Sequence, residues 1–294
     1  MALFEVATKD SGKAPSKAPL LEAGGYPARL VRLVDLGKQP GSQKFPDPQY
    51  KMSATFELLD EYMKETNEDG SFVMVQDPDE DEGVMMAKNL LDKPRWFDFD
   101  FTYNADGFMG EKSHIHKFMT AVDAFEVKPN PTAVPPVEGH PAIPLSELLG
   151  APLTVTLSSY TKQEGKNAGQ QANKIVSFAP MKSKEKKTAR ELINPTVFFN
   201  LGAPDMEVFS KLPGGDSPYA IKNRILANLE FNGSELQRLL GITPDAAAAA
   251  GPVANTASDE QVDAALAAEM EAQRAAKEAA AANATPEAGG AIPF

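Results

Sequence analysis

The chain has 294 residues, of which 42% are hydrophobic, and it carries a formal net charge of −12. This is enough apolar material to bury one sizeable core, and the length allows one or two domains. The absence of cysteine excludes disulfides, thiolate nucleophiles and cysteine-based zinc sites. No stretch approaches the roughly 18 consecutive apolar residues of a membrane span, and no apolar leader is present, so we expect a soluble, intracellular protein.

The negative charge is concentrated in two segments. Residues 57–82 hold eleven acidic residues and one basic residue, and residues 245–294 hold eight acidic and two basic residues. The rest of the chain carries 26 basic and 22 acidic residues, which is a net charge of +4. Because phosphate backbones are bound through Lys and Arg, this mildly basic body is compatible with nucleic acid, although the total charge argues against it.

The first third of the chain predicts a flexible arm followed by strands. Residues 1–19 mix Lys, Pro, Ser and Gly without periodicity, and they predict an arm that is either inert or adds phosphate contacts. Apolar alternation predicts a strand at 26–36, with an irregularity near its middle, and a second strand at 50–59. The acidic stretch 57–83 brackets a short apolar run and predicts an exposed hairpin arm.

The middle of the chain predicts one more strand, one helix and a long hairpin. Strict alternation from Trp96 to Tyr103 places the Phe side chains on one face and Trp96 on the other. Residues 111–125 are compatible with a helix, and a Pro-rich segment follows them. The β-prone runs at 153–157 and 174–178 flank a polar loop and predict a hairpin.

The last third predicts short helices and then a tail without a core. Helical patterns occupy residues 205–212, 218–229 and 234–240. From residue 242 to residue 294 the chain is Ala-rich and acidic, with no aromatic residue before the last. This composition predicts a disordered, partly helical tail.

The order of these elements predicts the fold class. Five or more β-prone segments with a single helix among them favour a mainly β or α+β domain over a βαβ fold. We expect this domain to span residues 20–241 and to be an OB-like barrel with peripheral helices.

The last residues, Ile292, Pro293 and Phe294, predict a partner-binding end. A terminal Phe beside a carboxylate can fill an apolar pocket lined with Lys or Arg. The ending resembles the acidic Ile-Pro-Phe tail through which bacterial single-stranded DNA-binding proteins recruit replication and repair partners. An inert terminus is the alternative interpretation.

Several separated motifs lie in order between residues 20 and 235. They are Tyr26-Pro-Ala-Arg-Leu-Val-Arg-Leu-Val-Asp-Leu-Gly37, Phe56-Glu-Leu58, Lys93-Pro-Arg-Trp96, Leu148-Leu-Gly-Ala-Pro-Leu-Thr-Val-Thr156, Asn194-Pro195, Pro204-Asp-Met-Glu-Val-Phe209 and Leu212-Pro213. In these motifs the chain resembles a family of bacteriophage single-stranded DNA-binding proteins. The resemblance implies an OB-fold that coats single strands during phage replication and recombination, in the cytoplasm of the infected bacterial host.

Binding a strand without sequence preference requires cations for the phosphates and aromatic faces for the bases. Trp96 is the leading candidate for stacking because it is the only Trp and follows Lys93 and Arg95, although a structural anchor is the alternative. The further candidates are Arg29, Arg32, Lys44, Phe45, Tyr50, Lys51, Tyr160, Lys162, Lys166, Lys174, Lys182, Lys184, Lys186, Lys187 and Arg190. The last five of these form either a phosphate track or a merely solvated run.

No motif predicts an enzyme, a metal site or a cofactor. Phosphate-loop, dinucleotide-binding and nucleophile-elbow motifs are absent. His114 and His116 would share one face of a strand, but no further ligands accompany them. The acidic run 77–82, which a nuclease could use to hold a cation, fits a solvated loop better.

Two classes of function remain after these exclusions. The first is a strand-coating replication or recombination protein whose tail recruits phage or host enzymes. The second is a transcription cofactor that binds single-stranded DNA and docks a phage RNA polymerase. In either class the acidic arm and tail can compete with phosphates for the DNA groove. The sequence leaves open whether the chain forms a homo-oligomer.

Overall fold

The computed structural model describes residues 16–42, 46–80, 83–125, 139–163 and 168–242. Most of the predicted N-terminal arm and all of the predicted tail from residue 243 onward lie outside these ranges. The described part is mainly β with a few short helices, which confirms the predicted mainly β or α+β class. Among the described residues, no helix has the length and apolar character needed to cross a membrane.

Strands dominate the described residues. The strands are β1 Ser16–Lys17, β2 Gly24–Gln39, β3 Gln49–Glu65, β4 Met74–Gln76, β5 Met85–Ala87, β6 Asn89–Tyr103, β7 Pro152–Thr161, β8 Gln171–Pro180 and β9 Val197–Phe199. The α-helices are α1 His114–Ala121, α2 Ser183–Thr188, α3 Met206–Lys211, α4 Ile221–Leu226 and α5 Glu235–Leu239, and a single 3-10 turn spans Leu145–Leu148. The two predicted strands at the N-terminal end, the β7–β8 hairpin and helices α1 and α3 to α5 all fall where the sequence pattern places them.

Five long strands form an antiparallel sheet in the order β6, β3, β2, β7, β8. Along one edge, β2 pairs first with β7 over Gly24–Arg29 and then, in parallel, with β9 over Arg32–Val34. The change of partner coincides with a register shift between Leu30 and Arg32. This bulge is the irregularity that the sequence predicts, and it re-aims the second half of the strand.

The main core lies on the inner face of this sheet, and α1 packs across it. Phe56 on β3, Phe101 on β6 and Phe118 on α1 are fully buried there. The rings of Phe101 and Phe178 lie 5.3 Å apart, although their strands stand at opposite ends of the strand order. The sheet therefore bends around its own core until β6 and β8 meet.

A second core lies on the outer face of the sheet, which is the face opposite the main core. Val34 and Leu36 of β2 pack there against Phe199, Phe209 and Ile225 from β9, α3 and α4. Helix α5 begins at Ser234, whose hydroxyl oxygen accepts a hydrogen bond from the Gln237 backbone N–H at 3.2 Å. The C-terminal helices thus cover one half of the outer face and leave the half around Trp96 open.

The predicted acidic arm, residues 57–83, is a separate hairpin only in its second half. Residues 57–65 instead continue β3 and pair with β6, because Leu58 and Leu59 are buried. Strands β4 and β5 form a separate two-stranded antiparallel sheet in which Val75 pairs with Met86. Met74 and Met85 are about half exposed, at 49% and 51%. This β4–β5 hairpin therefore presents apolar side chains on both sides of the acidic run.

Candidate nucleic-acid interface

Trp96 lies on the open half of the outer face. It pairs with Glu57 across β3 and β6, and 52% of its side-chain surface is exposed. Its neighbours Phe97, Phe99 and Phe101 all pack on the main core. Successive side chains of a strand point to opposite faces, so this confirms the predicted orientation of the strand. The ring is available for stacking, and the stacking role itself stays a prediction.

Arg32 lies directly beside Trp96. Its guanidinium carbon is 5.9 Å from the centre of the Trp96 ring, within the range of a cation–π contact. Asp98 holds this guanidinium through an ion pair of 3.1 Å, and the Thr55 hydroxyl donates to the same carboxylate. The Nε atom of Arg32 is buried and has no hydrogen-bond partner among the described residues. Arg32 therefore holds a guanidinium next to the exposed Trp96 ring, although only 11% of its side chain is exposed and its charge is paired with Asp98.

A groove of about 350 Å³ adjoins Trp96. Arg95 lines it, is only 7% exposed, and donates through Nη1 to the Pro19 carbonyl oxygen at 2.6 Å. Burial lowers the pKa of Arg95, although a nearby Glu61 opposes that effect. Arg95 therefore anchors the segment before β2 and does not project towards solvent. Lys93, two residues earlier on β6, is partly buried.

The β7–β8 hairpin supplies one wall of the same groove through Gln171, Ala172 and Asn173. Tyr160 pairs with Ala172, and the Lys174 ammonium lies 5.4 Å from the centre of the Tyr160 ring. The fold thus brings Tyr160 and Lys174 to the same end of the sheet as the Trp96 groove. Lys162 closes the described part of the hairpin, where its N–H donates to the Gln170 carbonyl, and Lys166 lies outside the described residues.

Tyr50 lies apart from Trp96. It is seven positions from Glu57 on β3, which corresponds to roughly 23 Å along a strand, and its ring lies 5.7 Å from that of Tyr103. Its hydroxyl donates to Glu230 at 2.6 Å, and this hydrogen bond raises the pKa of Tyr50. Lys51 is partly buried beside it. Lys44 and Phe45 lie outside the described residues, so this predicted loop site is only partly visible.

The guanidinium of Arg29 is bound by other groups of the protein. Its three guanidinium nitrogens donate to the carbonyl oxygens of Arg190, Gly150 and Ala189, and it also pairs with Glu191 at 3.1 Å. These contacts fasten the start of β7 and the segment after α2 onto β2. The donors that a phosphate would need are therefore already engaged.

Arg190 is engaged in the same way, with the buried Glu57 as its partner. The ion pair is 2.7 Å long, and Arg190 also donates to the carbonyl oxygens of Leu58 and Leu59. Burial raises the pKa of Glu57, but hydrogen bonds from Ile193, Arg190 and Asn194 outweigh it and hold the pKa below its ordinary value. Arg190 therefore ties the chain after α2 to the outer face.

The predicted basic cluster contains a short helix, α2. Lys182, Lys184 and Lys187 are exposed, whereas Lys186 pairs with Asp123 at 3.1 Å. Lys182 pairs with Glu185 at 3.5 Å within the helix. Of the described cluster, Lys184 and Lys187 keep their ammonium groups clear of ion pairs, so they are the cations best placed for a phosphate.

Two residues of this surface escaped the sequence analysis. Tyr62 pairs with Pro94 on β6, and the Arg190 guanidinium lies 5.4 Å from the centre of its ring. Tyr62 lies in the acidic stretch 57–83, whose charge predicts a solvated arm and gives no signal for an aromatic contact. Asn173 binds both the N–H and the carbonyl oxygen of Leu21, at 2.9 and 2.8 Å. An Asn inside a strand is unusual enough to signal such a role.

The two histidines of the H-x-H pair pack against different aromatic rings. His114 and His116 lie on helix α1, not on a strand, so the prediction that they share one strand face is wrong. His114 packs against Phe99 and His116 against Phe125, with ring centres 5.5 and 4.7 Å apart. Burial lowers the pKa of both imidazoles. Within the described ranges, no three His, Asp or Glu side chains cluster as metal ligands would.

Comparison with known proteins adds no assignment to this geometry. No protein-family model matches the chain, and no curated protein matches it.

Proposed function

We propose that the chain binds single-stranded DNA without sequence preference and coats it during phage replication or recombination. The observation that carries this proposal is the exposed Trp96 ring with Arg32 held beside it. Stacking on such a ring contributes about 1–3 kcal/mol per base, and every base offers a face for it. The groove beside Trp96 and the Tyr160–Lys174 pair extend the same combination of aromatic and cationic groups.

The fold supports this proposal at a coarser level. Five long antiparallel strands, in a sheet that bends until β6 and β8 meet, are compatible with an OB-like barrel, in which loops close over a bound strand. The resemblance to phage single-stranded DNA-binding proteins points the same way and implies action in the cytoplasm of the infected host. Recruitment of replication or recombination partners through Ile292, Pro293 and Phe294, and self-association of the chain, belong to the same proposal.

A fluorescence titration of Trp96 tests the proposal directly. The full chain is titrated with oligo-dT and with a duplex of equal length, at two salt concentrations. We expect quenching by the single strand alone, with affinity that falls as salt rises because phosphate binding releases counterions. Binding without quenching would remove Trp96 from the site, and absence of binding to either nucleic acid would overturn the proposal.

A second candidate function is a transcription cofactor that docks a phage RNA polymerase. The β4–β5 hairpin favours it, because Met74 and Met85 are half exposed and adaptable Met side chains suit protein-binding surfaces. Stable co-purification with a polymerase, together with weak and salt-insensitive DNA binding, would favour this function over strand coating. Loss of the polymerase after a double Met74→Lys and Met85→Lys change would assign the contact to the arm.

A further inference from the structure

A cavity of about 610 Å³ lies on the inner side of the sheet, away from Trp96. Leu33, Met52 and Phe198 line it together with Met109 and Leu145. Leu33 faces this side of β2, whereas its neighbour Arg32 contacts Trp96 on the outer face. The cavity has the volume and the largely apolar walls of a small-molecule site, and it shares no lining residue with the Trp96 groove.

The cavity is accessible from solvent. Pro144, Ser146 and Asn200 line it and are themselves exposed, so they form its rim. The aromatic side chains of Tyr103 and Phe198, both partly buried, also line it and supply flat surfaces. Flat apolar walls favour a planar ring as the occupant, because a ring can bury both of its faces against them.

Asp35 gives this cavity a directional polar group. Its Oδ1 atom accepts hydrogen bonds from the Tyr103 hydroxyl and from the Gly37 N–H, each at 2.9 Å. Both donors reach the same oxygen, and no described residue donates to Oδ2. Burial raises the pKa of Tyr103, and the Asp35 charge raises it further, so this hydroxyl remains a neutral donor to Asp35. Asp35 is only partly buried and lines the cavity, and its Oδ2 atom is not fully enclosed, so this oxygen can accept a hydrogen bond from an occupant.

We propose that the cavity binds a nucleobase that carries an exocyclic amino group, with that group donating to Asp35 Oδ2. Cytosine and adenine present such a donor on a planar ring. Thymine presents carbonyl oxygens on both sides of its single ring N–H, and these would face a carboxylate. The ring can come from a free nucleoside or from a base of a bound strand, and the second source rests on the proposed function.

Calorimetric titration of the full chain with deoxycytidine, deoxyadenosine and thymidine tests the site. We expect an amino-bearing nucleoside to bind at least tenfold more tightly than thymidine. Asp35→Asn keeps an oxygen for Tyr103 and Gly37 but replaces the free acceptor with an amide donor. This change should lower the affinity for deoxycytidine at least tenfold and remove the preference for deoxycytidine over thymidine.

Ser146 provides a second variant that leaves the core untouched. Ser146→Trp should block the rim and abolish binding of every nucleoside, whereas Ser146→Ala, the matched control, should bind as the parent does. Equal affinity for deoxycytidine and thymidine, or normal binding by Ser146→Trp, would overturn the inference.

Oligonucleotides separate the two sources of the ring. If the base of a bound strand is the occupant, the cavity adds a preference for an amino-bearing base at one position of an otherwise sequence-tolerant interface. Oligo-dC should then bind more tightly than oligo-dT, and Asp35→Asn should erase that difference. If oligo-dT quenches Trp96 and no nucleoside binds, the cavity inference fails and the proposed function stands. If nucleosides bind and no oligonucleotide does, the cavity is a free-nucleoside site and the proposed function fails.

Discussion

Two pairs of cations that the sequence treats alike lie in opposite situations. Arg29 and Arg190 are enclosed by backbone carbonyls and carboxylates, whereas Lys184 and Lys187 on α2 stand in solvent. A guanidinium offers a planar set of donors that can fasten several carbonyls at once, and an ammonium on a flexible stem does not. Arg29 and Arg190 therefore hold segments of the fold together, and Lys184 and Lys187 remain available for a ligand.

The largest effect is expected from breaking the buried pair. Arg190→Ala leaves the buried Glu57 carboxylate without its charged partner and removes the hydrogen bonds to the Leu58 and Leu59 carbonyls, which should lower the free energy of unfolding by about 3–5 kcal/mol. Urea unfolding followed by circular dichroism measures this change. Lys187→Ala is the matched control and should stay within about 0.5 kcal/mol of the parent. Equal stability of the two variants would refute the division between holding arginines and free lysines.

Acid should weaken the same pair. Because the pKa of Glu57 in the folded protein lies below its ordinary value, ionised Glu57 stabilises the fold above the ordinary glutamate pKa. That contribution is lost as the pH falls through the lowered, folded-state pKa. Unfolding free energies measured over a pH series should therefore fall less steeply for Glu57→Gln than for the parent. Parallel profiles would show that Glu57 does not carry this acid sensitivity.

Substitution of Trp96, on the open half of the outer face, should weaken DNA binding without lowering the stability of the fold. Trp96→Ala should weaken oligo-dT binding by about 1–3 kcal/mol, the value of one stacked base. Fluorescence anisotropy of a labelled oligonucleotide measures it without need of the Trp signal. Leu91→Ala is the control, since Leu91 is also an exposed apolar residue of β6. A similar loss in both variants would mean that surface hydrophobicity, not stacking, is responsible.

The smallest effect is expected from the free lysines. The double change Lys184→Ala and Lys187→Ala should weaken oligo-dT binding modestly. It should also reduce the slope of log affinity against log salt by about 0.7 for each lost phosphate contact. Lys211→Ala, an exposed lysine on α3 that pairs with Glu207, serves as the comparison. An unchanged salt slope would remove α2 from the phosphate path.

Local pattern was sufficient for much of the fold. The alternation along β6, the bulge in β2 and the N-cap at Ser234 each depend on a few neighbouring residues, and all three were predictable. The uses of Arg29 and Arg190 depend on groups more than a hundred positions away, such as the Gly150 carbonyl and Glu57. The hydrophobic periodicity of the sequence does not predict a hydrogen-bond partner that is so distant along the chain.

The candidate site was predictable to the same limited extent. The exposure of Trp96 follows from strand parity, but the cation beside its ring is Arg32 on β2, which lies two strands away in the sheet, and not the adjacent Arg95. Tyr50 and Trp96 are both aromatic residues flanked by cations, and only the folded sheet separates them. The sequence therefore predicted which types of residue form the site more reliably than it predicted which of those residues lie together in the fold.

Strand β2 has a mechanical consequence for the whole molecule. Leu30 and Leu33 belong to the main core, while Val34 and Leu36 of the same strand belong to the second core. One continuous strand thus contributes side chains to both cores, so unfolding of one core would disturb the packing of the other. The sheet and the C-terminal helices should therefore unfold in one cooperative transition. A truncation before β9 would expose the apolar side chains of Val34 and Leu36 and make the remaining protein prone to aggregation.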